Sequence, residues 1–169
     1  MENFGEGVFM YLMGGNDPVN QGNSRRKRWI ECTAEEELSH PTHVWWHTLS
    51  HYIIDLLGVD SGFSSSSIRE RTYFLNDEDG PRGGLLLYTS SPASDGTLGG
   101  LVNIAKDSNV MGSLIREALS SSEVCSNDPL CEESVDSKEG AACYACCLVS
   151  ETSCEHRNKL LDRLILNDE

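Results

Sequence analysis

Seven cysteines are the residues of this sequence best suited to chemistry, and six of them fall in its C-terminal third. Two pairs, Cys125 with Cys131 and Cys143 with Cys146, flank a loop-like acidic segment at residues 132–139. Short cysteine pairs that meet across a loop can offer four thiolates to one tetrahedral zinc ion. The spacing therefore predicts one structural zinc ion per chain, held by these four cysteines.

Three further residues near the pairs leave the ligand set open. Cys147 directly follows Cys146, so its side chain should point away from the metal and behave as a small buried hydrophobe. Cys154 is interpreted either as a core residue or as a fifth thiol near the site that replaces one of the four ligands. His156 is an additional candidate, and Cys32 stands alone in the sequence.

Histidines at regular spacing lie on a helix that we predict from Thr42 to about Leu57. His43, His47 and His51 are four residues apart and so share one face of that helix. This spacing can supply metal ligands or a proton relay from a single helix. A polar stripe beside an apolar face is also typical of a solvent-facing or packed, hydrogen-bonded edge, so the histidines remain secondary candidates.

A glycine-rich segment between a predicted strand and a predicted helix is a candidate anion site. Backbone amides around Asp95, Gly96, Gly99 and Gly100 can bind an anion together with the helix N-terminus. The segment lacks both glycine patterns of nucleotide binding and a lysine for the phosphates, so we predict no ATPase site. Alternatively, Asp95 caps the helix and the glycines allow it to pack closely on the sheet.

A basic run is the candidate contact for nucleic acid. Arg25, Arg26, Lys27 and Arg28 precede Trp29, whose ring can stack on a base. The chain carries 13 basic and 27 acidic residues, a net charge of −14, which repels phosphate backbones. Tight DNA binding is therefore disfavoured, and the alternative is that the basic run forms a solvated turn.

The elements that must position these residues follow from hydrophobic patterning. We predict strands at residues 8–13, 68–75 and 85–89, with the last buried on both faces in the middle of the sheet, and helices at 98–106, 111–119 and 155–163. The length of 169 residues, with 38% hydrophobic and 24% charged residues, fits one globular domain. We expect an α/β fold: a single compact domain over residues 1–169 with a small mixed sheet, flanking helices and a C-terminal zinc knuckle within residues 125–154.

The N-terminal sequence has no recognisable targeting signal, which points to the cytoplasm. The N-terminus has no positively charged region, and its apolar run is too short for a signal peptide or a membrane span. Clustered thiols without a secretory signal favour a reducing compartment and metal binding over disulfides. We therefore expect a cytoplasmic protein without membrane contact.

Two blocks of the sequence resemble a known family. Residues 83–101, and residues 140–155 with the ending at 161–163, are similar to the helicase-associated zinc-binding domain. That domain occurs at the C-terminus of MrfA-type DNA helicases and in DrmB of the DISARM anti-phage system. Looser similarity to the DrmB branch extends the resemblance over nearly the whole chain, at residues 5–9, 49–51 and 67–71.

The resemblance implies a zinc-binding module that acts beside a helicase-type partner in DNA repair or anti-phage defence. The net charge of −14 implies that any DNA contact is indirect or weak. Four thiolates fill the zinc shell, so we expect no catalytic residues and a non-enzymatic role. The acidic segment at residues 132–139 is the candidate docking site for the partner, and the alternative is that it is a solvated loop. The alternative function is a phosphate- or nucleotide-handling enzyme that uses residues 95–100 and a helical histidine. The partner's identity and the oligomeric state do not follow from the sequence.

Overall fold

The computed structural model describes residues 7–11, 17–19, 21–33, 37–61, 66–89, 100–133 and 139–167. Its elements, in chain order, are β1 (Gly7–Tyr11), α1 (Ser24–Thr33), α2 (Pro41–Ser61), β2 (Ile68–Asp77), β3 (Gly80–Thr89), α3 (Gly100–Lys106) and α4 (Ser108–Ser121), with short 3-10 helices at Glu37–Ser39 and Arg163–Leu166. Turns and extended chain make up most of the segment between α4 and the last 3-10 helix. This segment contains six of the seven cysteines.

The sheet is built around β3. β2 and β3 form a hairpin closed by a two-residue turn, in which Asp77 pairs with Gly80. The backbone of Gly80 has φ of 98°, a conformation that residues with a side chain rarely adopt. β1 pairs along the other edge of β3, so the segment predicted to be the central strand does lie in the middle. Leu85 and Leu87 are fully buried whereas Leu86 is half-buried, so burial on both faces is incomplete.

Helix α2 runs through the centre of the molecule, against the sheet on one side and α4 on another. Pro41 occupies its first turn, where the missing N–H costs nothing, and the helix continues one turn past the predicted end at Leu57. Almost every residue from 41 to 54 is buried, which is the pattern of a helix surrounded by protein. Among the helices that the structure describes, none has the length and hydropathy of a membrane span.

The expected fold class, a small sheet with flanking helices and a C-terminal cysteine knuckle, is confirmed. One detail of the prediction is wrong: a mixed sheet was expected, but the three described strands pair only in antiparallel fashion. Antiparallel pairing is what the hairpin between β2 and β3 imposes, since a two-residue turn can only reverse the chain.

The terminal helix predicted over residues 155–163 is wrong. Three residues there, Arg157, Asn158 and Leu160, have positive φ angles of 53°, 59° and 58°, which end any right-handed helix. The Asn158 side chain holds the turn by bonding both the N–H and the C=O of Val149, at 3.1 and 2.9 Å. The apolar residues of the segment reach the core through this turn: Leu160 and Leu161 are buried.

Candidate metal centre

Two turns after helix α4 bring four thiols together. Cys125, Cys131, Cys143 and Cys146, the four-cysteine cluster, have sulfur atoms that all lie within 4.8 Å of one another. The separations from Cys125 to Cys143 and from Cys131 to Cys146 are 3.5 and 3.7 Å. Zinc–sulfur bonds of about 2.3 Å place the corners of a tetrahedron about 3.8 Å apart. The cluster therefore has the donor set and the size that zinc requires.

Backbone amides support the sulfurs in the way expected for thiolate ligands. The N–H groups of Asn127 and Ala145 each donate to a cysteine sulfur two residues earlier, at 3.4 Å. The N–H of Cys143 donates to the sulfur of Cys146 at the same distance. These bonds orient the sulfurs toward a common centre and stabilise negative charge on them. Each pair thus forms a knuckle whose backbone is already arranged for a metal.

The thiols differ in how readily they ionise without a metal. Burial raises the pKa of Cys131 to about 11. Burial acts in the same direction on Cys143, but hydrogen bonds from the backbone of Ala145 and from neighbouring thiols lower its pKa to about 7. A bound cation deprotonates coordinating thiols outright, so the cluster should release protons when zinc binds.

A buried arginine lies beneath the four-cysteine cluster. Arg163 is fully buried and donates to the carbonyls of Ser122 and Glu123 at 3.1 and 2.9 Å. It also contacts Asp128 at 2.5 Å, and Asp128 in turn accepts the N–H of Cys125 at 2.8 Å. Burial opposes its charge, but hydrogen bonding to Cys131 and the charge of Asp128 raise the pKa of Arg163. The guanidinium therefore stays positive and offsets the negative charge of four thiolates around Zn²⁺.

Asp162 connects the second knuckle to helix α1. Its carboxylate is completely buried and accepts hydrogen bonds from the indole of Trp29 at 2.9 Å and the backbone N–H of Ala141 at 3.1 Å. Gly140 packs so closely against it that a Cβ at residue 140 would overlap the Asp162 side chain. This close contact, which requires glycine at residue 140, positions the backbone that leads to Cys143.

The basic run lies in helix α1 and not in a solvated turn, and its arginines are largely engaged within the protein, so contact with nucleic acid stays a prediction. Arg25 and Arg28 donate to the carbonyls of Glu132 and Glu139, at 2.6 and 2.5 Å, on either side of the acidic segment. Arg26 pairs with Asp17 at 2.5 Å. Lys27 is exposed. Trp29, predicted to stack on a base, is instead fully buried.

The other predicted sites have different outcomes. Three of the four anion-site residues, Asp95, Gly96 and Gly99, lie outside the described residues, and Gly100 begins α3. His47 and His51 are fully buried, so the stripe is a packed, hydrogen-bonded edge and not a solvent face. Cys147 is buried, as expected of a small hydrophobe.

Cys154 does not join the four-cysteine cluster. Its sulfur lies with His47, His51 and Glu70, within 4.8 Å of their nearest ligand atoms. Cys154 and the two histidines are candidates from the sequence, but their spacing does not indicate that they meet. Glu70 was missed altogether, although it occupies an inward-facing position of β2 where an apolar residue is expected.

Comparison with known proteins identifies two similarities. Residues 49–147, which include the whole four-cysteine cluster, match the family described as the MrfA Zn-binding domain. The chain is also 42% identical over 144 residues to the DISARM protein DrmB of Bacillus paralicheniformis. That alignment covers 82% of this chain and 25% of DrmB, so the chain spans about a quarter of its relative's length. The resemblance inferred from the sequence blocks is confirmed.

Proposed function

Since the chain belongs to the MrfA Zn-binding domain family, we propose that it is a non-enzymatic, zinc-stabilised accessory module that docks on a helicase-type protein in anti-phage defence or DNA repair. The observation that carries the proposal is the four-cysteine cluster, whose knuckles are anchored to the helices through Asp162 and Arg163. Family membership and the similarity to a DISARM protein support a role in phage defence or beside a helicase.

The chemistry of the cluster supports a structural role for its metal. Four thiolates complete a tetrahedral shell, which leaves no position at which a water molecule can be activated. Zinc bound there would join two turns that lack regular secondary structure, and its binding energy would count as folding energy. Cys125, Cys131, Cys143 and Cys146 are the ligands in this proposal.

The surface of the cysteine-rich segment supports the docking role. Its exposed apolar side chains include Val124, Leu130 and Tyr144, which are 74%, 77% and 90% exposed. Large apolar side chains on a rigid, metal-held turn are suited to burial against another protein. Glu132 and Glu139 add exposed negative charge, while their backbones are held by arginines of helix α1. A partner with a basic surface and an apolar pocket fits these features.

The decisive experiment measures association with a helicase-type protein that co-purifies with this chain from its native host. Replacing Leu130 and Tyr144 together with serine should raise the dissociation rate at least tenfold, which corresponds to about 1.4 kcal/mol. Leu75→Ser is the matched control, because Leu75 is also an exposed apolar residue but lies on β2. An equal effect of the control, or none in the double variant, would exclude this surface.

Charge is tested separately through the acidic segment. Replacing Glu132, Glu133 and Glu139 with glutamine should slow association and flatten its dependence on salt, because electrostatic attraction acts mainly on the association rate. Glu78→Gln removes an exposed charge from the hairpin turn and serves as the control. Unchanged rate and salt dependence would remove the acidic segment from the docking surface.

A further inference from the structure

A second group of ligand-type side chains is buried in the core of the molecule. His47 and His51 project from α2, Glu70 comes from β2, and Cys154 comes from the turn that replaces the predicted terminal helix. All four residues are buried, and one atom from each lies within 4.8 Å of the others. We name them the mixed-ligand cluster. It shares no residue with the four-cysteine cluster.

The outer nitrogens of both histidine rings are already occupied. The Nδ1 atom of His47 contacts the carbonyl of Leu160 at 3.1 Å, and that of His51 contacts the carbonyl of Cys147 at 2.8 Å. Because a carbonyl can only accept, each Nδ1 must carry the hydrogen. In its neutral form, each ring therefore directs the lone pair of its Nε2 atom into the cluster. This is the arrangement that metal-bound histidines adopt.

The inward-facing nitrogen of His51 lacks a protein partner. Nε2 of His51 has no hydrogen bond in the structure, and its nearest charged neighbour is the Glu70 carboxylate at 3.9 Å. A carboxylate only accepts hydrogen bonds, so it cannot satisfy a lone pair. Unsatisfied polar atoms this deeply buried are rare and destabilising. A cation at the centre would satisfy the nitrogen and the carboxylate together.

Glu70 and Cys154 are held as ligands would be. One carboxylate oxygen of Glu70 accepts the hydroxyl of Ser50 at 2.8 Å, and the other accepts the N–H of Glu155 at 3.2 Å. The sulfur of Cys154 accepts the N–H of Asn158 at 3.1 Å, through the turn with positive φ angles. Amide support of a thiolate is the same device that the four-cysteine cluster uses.

The separations from His47 are close to those around a small tetrahedral ion, and slightly shorter. Nε2 of His47 is 3.2 Å both from Oε1 of Glu70 and from the sulfur of Cys154. Metal–ligand bonds of about 2.0–2.3 Å place the corners of a tetrahedron about 3.3–3.8 Å apart. Two imidazoles, one carboxylate and one thiolate suit zinc better than the hard cations, which prefer oxygen ligands.

We propose that the mixed-ligand cluster binds a second zinc ion in a closed, four-ligand structural site. The ion ties helix α2 and strand β2 to the C-terminal segment. Glu70 and Cys154 also contribute to the wall of a surface cleft of about 230 Å³, so the cluster lies next to this cleft. The chain then holds two zinc ions, one more than its cysteine pairs predict.

A proton between His47 and Glu70 is the alternative occupant. Without metal, burial favours their neutral forms, but mutual attraction raises the pKa of His47 to about 10 and lowers that of Glu70 to about 2. Such an ion pair satisfies His47 but leaves His51 with the orphaned nitrogen described above. A zinc ion would instead be coordinated by the Nε2 atoms of both histidines. Detection of imidazole nitrogen bound to zinc therefore distinguishes the two alternatives.

The test measures zinc content and zinc ligands in the full chain. Protein purified without chelator, equilibrated with excess zinc and freed of loosely bound metal, should contain two zinc ions by elemental analysis. X-ray absorption at the zinc edge should detect imidazole nitrogen, which the four-cysteine cluster cannot supply. This measurement needs no variant. One zinc ion per chain with sulfur ligands alone would overturn the proposal.

Variants then locate the second ion. Cys154→Ser and His51→Ala should each reduce the zinc content from two to one and remove the imidazole signal. Controls are Cys32→Ser, which deletes a thiol outside both clusters, and His43→Ala, which deletes a buried histidine from the same face of α2. Both controls should retain two ions. A folded His51→Ala protein that keeps two ions would also overturn the assignment, whatever the outcome of the docking experiments.

Discussion

Replacing Asp162 with asparagine should destabilise the protein, because the Asp162 carboxylate joins helix α1 to the knuckle of Cys143 and Cys146. The two carboxylate oxygens accept on different sides: one receives the Trp29 indole at 2.9 Å, and the other the backbone N–H groups of Ala141 and Leu164 at 3.1 and 3.3 Å. Asparagine has the same shape, but one of its two groups is an NH₂. Whichever way the amide turns, at least one buried donor then faces another donor.

The magnitude follows from these contacts. A buried donor left without an acceptor costs about 1–3 kcal/mol. Arg25 and Arg28 lie 4.0 and 3.8 Å from the carboxylate and are partly exposed, so loss of their attraction adds less than about 1 kcal/mol each. We therefore expect the free energy of unfolding to fall by about 3 kcal/mol, which lowers Tm by roughly 6–12 °C for a chain of this size.

Denaturant and thermal unfolding of the zinc-loaded protein measure this change. Asp55→Asn is the control, because Asp55 is exposed on α2 and its replacement should change stability by no more than about 0.5 kcal/mol. A double-mutant cycle with Trp29→Phe isolates the indole bond, and Asp162→Asn should cost less when the indole donor is absent. If Asp162→Asn unfolds with the same free energy as the parent, the buried carboxylate does not hold the knuckle and the reasoning is refuted.

Three further predictions follow from the site and its surroundings. Gly140→Ala should destabilise the zinc-loaded protein by about 1–3 kcal/mol through overlap with the carboxylate, whereas Gly112→Ala, inside α4 and opposite the flexible end of an arginine, should be neutral or stabilising in the same unfolding assay. Cys143→Ser should lose the zinc of the four-cysteine cluster and expose the C-terminal segment to hydrogen exchange, while Cys147→Ser should retain that zinc; equal metal loss in both would reassign the ligands. DNA binding should be weak at physiological salt, and Lys27→Ala should reduce the slope of log affinity against log salt by no more than about one phosphate contact; tight binding that ignores salt would contradict the charge argument.

Local patterns in the sequence were sufficient for much of the architecture. The central strand, the strand before it and the long histidine-bearing helix follow from hydrophobic runs bounded by glycine and proline, and they are confirmed with shifts at their ends. The prediction of a terminal helix was wrong because turns can bury the apolar residues Leu160 and Leu161 as well as a helix can. Periodicity reports which residues are buried, and it does not distinguish the two ways of burying them.

Zinc binding could be inferred from cysteine spacing, because ligand pairs close in sequence form knuckles almost independently of the rest of the chain. The confirmed family resemblance rests on the same local blocks. The expectation of a single domain stays a prediction, as do the partner and the absence of catalysis.

The sequence by itself determined the elements of the sheet, the central helix and the presence of a four-thiol zinc knuckle. Only the tertiary structure decided what surrounds them: that the basic run supports the knuckle, and that Cys154 meets His47 across 107 positions of sequence. Glu70 joins them because one hairpin register turns it inward. The physical reason is that spacing along the chain encodes contacts within a turn or a strand, whereas contacts between distant segments depend on how the whole core packs.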